Sequence, residues 1–156
     1  MTILAILQNM WDPARTEAPN VFRINPRNHT GKKLYFICGQ HELWVTNSSS
    51  KCAPCAKVRL PPDLLFLRRA ILRRDWDCYL VCGNQARDSV HRLLAKDMEV
   101  LKQMKIKPVV FMPHPAARMI TNRLLHSLQH HLIRPDPAWL EWRQHKGDYS
   151  INEVQQ

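Results

Sequence analysis

Val109-Val110-Phe111-Met112-Pro113-His114-Pro115-Ala116-Ala117-Arg118 is the stretch from which the fold can be read. Four apolar residues, two of them β-branched, predict a strand covered on both faces. Two prolines then fix the backbone around His114, because proline locks its own φ and restrains the residue before it. A basic helix follows. Histidine is the side chain most easily tuned to share a proton near neutral pH. His114 is therefore either a loop residue that caps the next helix or a group placed for chemistry, and this stretch alone leaves both open.

Three further apolar runs match that strand. They are Ile3 to Leu7, Leu43 to Thr46 and Cys78 to Cys82. Between them lie helical patterns near Gly31 to Ile37, Pro62 to Arg73 and Gln85 to Leu101, and a last helix carries Leu124, Leu125, Leu128 and Leu132 on one face. This β-α-β-α order predicts an α/β fold of three layers, α/β/α, around a central four-stranded parallel sheet. A single domain over residues 1–135 is expected, with a C-terminal extension over 136–156 that is partly helical and then loose. Pro13 to His29 is the longest irregular stretch, and loops of that length in compact domains are often functional.

The chain has 156 residues, 45 % of them hydrophobic, enough for one core. Lys and Arg outnumber Asp and Glu by 23 to 13, a formal charge of +10. Such an excess favours a polyanionic partner, nucleic acid being the commonest, against the alternative of a merely solubilising surface. No apolar run approaches the ~18 residues of a membrane span. Thr2 to Leu7 is too short for a signal peptide and no basic segment precedes it. The expectation is a soluble, intracellular, cytoplasmic monomer without membrane association. Five cysteines, an odd number, then read as thiols or ligands rather than a disulfide framework.

In open parallel sheets ligands bind beyond the carboxyl ends of the strands. Each predicted strand ends in polar groups: Gln8 and Asn9 with Asp12 close behind, then Asn47 with Ser48-Ser49-Ser50, then Gly83-Asn84-Gln85, and finally His114. An amide, an acid and a histidine on one rim suit the edge of a planar base. Gly83 and the serines suit close backbone approach to phosphates. Taken singly, each is also ordinary turn chemistry.

Several segments together resemble the uracil-DNA glycosylase superfamily, especially its thermophilic bacterial and archaeal branch. Leu43-Trp44-Val45-Thr46-Asn47 with Lys51-Cys52 is similar to the strand-Thr-Asn…Lys-Cys segment. Thr30-Gly31-Lys32-Lys33-Leu34 resembles the Ser-Gly-x-x-Leu helix start, and Leu80 to Ala86 the apolar-Gly-x-x-Ala turn. Met112 to Arg118 resembles the His-Pro-Ser motif. The segments keep family order from residue 3 to about 132.

The resemblance implies a DNA glycosylase of base-excision DNA repair. It would flip a nucleotide from the helix and hydrolyse the N-glycosidic bond of uracil or another modified pyrimidine. His114 would donate to the base carbonyl as charge builds on the leaving base. Asn47 would read the base edge and Phe22 would stack on it. Ser48, Ser49, Lys51, Gly83, Asn84, Gln85 and Arg118 would contact DNA. Water falls to Asp12 or to Asn9, since Leu7 to Ala14 departs from the family's first motif: an aspartate can act as base, an asparagine only positions water. Ala116 in place of the motif serine is a second departure. Met119 or Ile120 is either a wedge between bases or a core residue.

No cofactor is expected. The thermophilic branch carries an iron–sulfur cluster, and this chain has the Lys51-Cys52 match without the remaining cysteines. A zinc alternative exists, because Cys38-x-x-His41 and Cys52-x-x-Cys55 have ribbon spacing. It conflicts with the strand between the pairs, which would hold them about 15 Å apart at ~3.3 Å per residue. A non-catalytic nucleic-acid-binding module, with or without zinc, is the competing reading. A protein-interaction domain is the third.

Overall fold

A computed structural model describes residues 1–55, 57–117 and 120–133. The four predicted strands form one parallel sheet. β1 (Thr2–Leu7), β3 (Glu42–Asn47), β5 (Cys78–Cys82) and β6 (Val109–Met112) stand in the order β3-β1-β5-β6. Helices α1 (His29–Cys38) and α5 (Asn122–Ile133) cover one face, and α2 (Leu64–Leu72), α3 (Asn84–Lys96) and α4 (Met98–Met104) cover the other. The three-layer α/β/α arrangement is as expected from the strand and helix order.

Alternation along β1 sorts the two cores. Ile3, Ala5 and Leu7 point to Leu34 and Ile37 of α1 and to Leu124 and Leu128 of α5. Leu4 and Ile6 point to Leu67 and Ile71 of α2, to Val90 of α3 and to Met104 of α4. β1 and β5 are almost wholly buried, which explains their uninterrupted apolar reading.

Two details differ from the expectation. The helix predicted over Gln85 to Leu101 is two helices, broken at Asp97. The Asp97 carboxylate accepts from the N–H groups of Glu99 (3.1 Å) and Val100 (3.2 Å), starting α4, and it pairs with Arg68 Nε at 2.5 Å. The cap competes locally with helix continuation, although the apolar period runs through it. Second, two short strands, β2 (Met10–Trp11) and β4 (Cys52–Ala53), pair in parallel. They prolong the exits of β1 and β3 beyond the sheet.

The long stretch before α1 is tied down at intervals. Phe22 forms a two-way backbone bridge with Val45 (2.9 and 2.8 Å), and Asn20 donates to the Phe66 carbonyl at 2.8 Å. Asn28 caps α1 by accepting from Gly31 N–H at 2.5 Å. Gly31 is required there, because a Cβ would lie 2.0 Å from the Asn25 carbonyl oxygen. Among the described residues no helix is long and apolar enough to cross a membrane. The extension expected over 136–156 lies outside the described residues, as do Arg118 and Met119.

Candidate functional site

The chain runs from β1 outward to β3 on one side and later to β5 and β6 on the other. The reversal falls between β1 and β5, the position beyond whose carboxyl ends open parallel sheets bind their ligands. The register aligns Leu7 with Asn47 and Cys82 with Met112 at this edge.

Asn47, the last residue of β3, is 1 % exposed, and both its Nδ2 and Oδ1 are buried without a hydrogen-bond partner. Its side chain alternates with Thr46 and so lies on the face of Leu43 and Val45. Leaving a buried amide unpaired costs roughly 1–3 kcal/mol per polar group, so such groups are rare and call for an explanation. Phe22 packs half-buried on the same face, bridged to Val45 two residues before Asn47.

His114 lies two residues beyond β6, over the turn between β5 and α3. Gly83 lies beneath it in a conformation that favours glycine, with φ at +91°, and a Cβ there would meet the His114 Cβ at an ordinary 3.6 Å. The Ala116 backbone N–H donates to His114 Nδ1 at 3.0 Å, which leaves the ring proton on Nε2. Burial pushes the imidazole below its ordinary range, and the charges of Arg59, Lys33 and His29 push it in the same direction. His114 is thus held as a neutral Nε2–H donor at neutral pH. Lys33 Nζ reaches across from α1 to donate to the Pro115 carbonyl at 2.7 Å.

The end of β1 is more occupied than its sequence suggests. Asn9 Oδ1 accepts from Leu60 N–H at 3.3 Å, and its Nδ2 donates to the carbonyls of Met10 and Val58, both at 3.4 Å. Asn9 thereby clasps the loop before α2. Asp12 Oδ1 accepts from Ala14 N–H at 2.9 Å, and no hydrogen bond to its Oδ2 occurs among the described residues.

Ser48 and Ser49 are buried and serve the chain itself. Ser48 Oγ donates to the Gln8 carbonyl at 2.9 Å, and Ser49 N–H donates to the same carbonyl at 3.1 Å, so the exits of β1 and β3 are stitched together. The Ser49 hydroxyl is engaged as well, accepting from the Lys51 N–H at 3.4 Å. Lys51 pairs with Glu17. Asn84 is exposed at the start of α3, while Gln85 Nε2 donates to the Leu60 carbonyl at 2.7 Å. Gln85 Oε1 is buried without a partner. Ile120 packs against the α1–α5 core, which favours its core reading over a wedge.

Lys33, His29 and Arg59 surround His114 without having been marked as site residues by the sequence. Lys33 and His29 are one helical turn apart, with Nζ and Nε2 3.3 Å from each other. That spacing was the available signal for the pair. Arg59 sits in an aperiodic loop that offers none.

The zinc-ribbon alternative is corrected. Cys38 ends α1 before β3, whereas Cys52 and Cys55 follow β3, whose six residues span ~20 Å. Among the described residues, no group of three or more His, Cys, Asp or Glu is placed to hold a metal ion.

No family model, curated protein or solved structure matches this chain.

Proposed function

We propose that the protein is a DNA glycosylase that hydrolyses the N-glycosidic bond of a flipped uracil or other modified pyrimidine. The observation that carries this reading is the buried, unpartnered amide of Asn47 at the carboxyl end of the sheet. A planar base offering a carbonyl beside an N–H would satisfy both of its atoms at once. His114 supplies a neutral donor on the far side of the crevice. Asn47 ends β3 and His114 follows β6, so a bound base would lie across the carboxyl edge of β1 and β5, the two strands between them.

In the reaction, water oxygen bonds to C1′ as the bond to the base nitrogen breaks, and the base leaves with the electron pair. Negative charge then spreads onto the base carbonyl that faces His114 Nε2–H. A preorganised donor at that point stabilises the transition state more than the substrate. Phe22 offers a ring beside Asn47 for stacking. Water activation falls to Asp12 through Oδ2, since the Asn9 amide is engaged with the loop before α2. Unstacking the nucleotide costs a few kcal/mol, offset by pocket contacts and by attraction of the +10 chain for DNA.

The experiment is base release from oligonucleotides carrying uracil or a modified pyrimidine, with His114→Ala alongside. Release by the wild type and its loss in the variant are expected. Intact substrates after long incubation overturn the hydrolytic reading.

A second reading, capture of an extrahelical base without hydrolysis, is favoured by the turn that engages one oxygen of Asp12. Tight, salt-sensitive binding to the same oligonucleotides with no base released would select it.

A further inference from the structure

We propose that Lys33 is a positioning residue that fixes the His114 turn from α1, so that Nε2–H is presented at the crevice in one orientation. The turn needs such a tether. Pro113 and Pro115 have no N–H, so they cannot secure it through backbone donation. Its local bonds, Ala117 N–H to the His114 carbonyl at 2.8 Å and Ala116 N–H to the ring at 3.0 Å, close it upon itself. The Gly83 N–H donates to the Met112 carbonyl at 2.8 Å and so holds the end of β6, but this bond lies before Pro113 and does not reach the far side of the turn.

Lys33 supplies what these lack, a charge-assisted hydrogen bond to the Pro115 carbonyl at 2.7 Å from another element. α1 is itself rigidly seated, with Leu34 next in sequence fully buried. The tether therefore refers the imidazole to the core rather than to its own loop. Lys33 acts through Pro115 on the residue before it.

The same ammonium contributes a second effect by charge. The charged and titratable groups that bear on His114 are Arg59, from the loop before α2, and Lys33 and His29 from α1. All three favour the neutral ring. Burial does so more strongly, so loss of Lys33 weakens this preference without reversing it.

The catalytic consequence rests on the glycosylase reading, but the test does not. In DNA-free protein labelled with 15N at histidine, NMR of wild-type protein should show His114 as a single Nε2–H tautomer. In Lys33→Met the ring signals should split or broaden as the turn takes several orientations, and the titration midpoint should move up toward ~6.5. Lys33→Arg, which keeps the charge and a donor, should restore both. Unsplit ring signals and an unchanged midpoint in a folded Lys33→Met overturn the proposal. If that variant does not fold, the wild type still decides: a Lys33 ammonium resonance protected from exchange supports the tether, and a freely exchanging one overturns it. Base release adds a separate arm, with about a tenfold fall in kcat, unchanged DNA affinity and rescue by Lys33→Arg expected if turn positioning matters for catalysis. Wild-type protein that releases no base would defeat the glycosylase reading and leave the NMR result standing.

Discussion

The backbone N–H of Ala116 donates to Nδ1 of His114 across 3.0 Å, so a residue two positions along the chain sets the tautomer of the ring. A motif with serine at this position would add a hydroxyl near the turn. Alanine leaves the N–H–to–ring bond intact. The donor function of His114 is therefore independent of the side chain that departs from the resembled motif.

Replacing His114 with alanine removes that donor. Losing one donor to a developing oxyanion typically lowers the rate by about 10²–10³. Single-turnover release of the base from a uracil-containing oligonucleotide should fall by that factor, while DNA affinity at fixed salt changes little. A His114→Ala enzyme of unchanged rate would remove the histidine from the mechanism.

The depressed titration of His114 also has a stability sign. In the unfolded chain an imidazole protonates near 6.5, and in the folded protein burial, with the charges of Arg59 and Lys33, holds it lower. Between those two values the unfolded chain binds more protons, so stability increases with pH. The contribution is fully present above ~6.5 and is lost as pH falls through the folded value. Denaturant midpoints at pH 7.5 and 5 should therefore differ more for wild type than for His114→Asn. Equal pH dependence in the two proteins would contradict it.

Asn47 should show a trade between stability and function. Its amide is buried and unpaired, so Asn47→Leu replaces two unsatisfied atoms with methyls on the same branched skeleton, beside an apolar core. The variant should be more stable by about 1–3 kcal/mol in denaturant titration, since desolvated polar groups are removed. It should also lose discrimination for the modified base. A destabilised Asn47→Leu would mean that the amide is satisfied by ordered water and that no base is needed to explain it.

The strands and the polar strand ends were legible because both follow from local rules. Runs such as Cys78 to Cys82 have no room for a polar face, and Asn47 and His114 stand where a parallel sheet exposes its carboxyl edge. The break at Asp97 was not legible, because the apolar period continues through Val100 and Met104, and only the capping bonds end α3. The two-residue strands β2 and β4 are too short for any period. Asn9 looked free at the end of β1, yet the loop that takes its amide arrives from about fifty positions away. Lys33 likewise acquires its role only when α1 packs beside the turn after β6. The roles of Asn9 and Lys33 did not show because their partners are distant in the chain, whereas the Asp97 cap is local and was masked by the apolar period around it.

Gly83 is the residue whose substitution should separate backbone strain from loss of a side chain. With φ at +91° and ψ at 168° it occupies a region open almost solely to glycine, where an L side chain costs about 1–3 kcal/mol. The space itself is adequate, since a Cβ would meet the His114 Cβ at 3.6 Å and its backbone N at 3.8 Å, ordinary contact distances. Gly83→Ala can therefore relieve its strain only by rotating the β5–α3 turn, and that rotation moves the surface on which His114 rests. The expected result is a destabilisation of about 1–3 kcal/mol by denaturant midpoint, together with a fall in base release larger than the lost stability explains. The His114 tautomer, read by NMR, should become mixed although no partner of the ring has been altered. A Gly83→Ala protein that loses stability but keeps the wild-type tautomer and rate would show that the glycine serves the turn alone and that His114 is positioned without it.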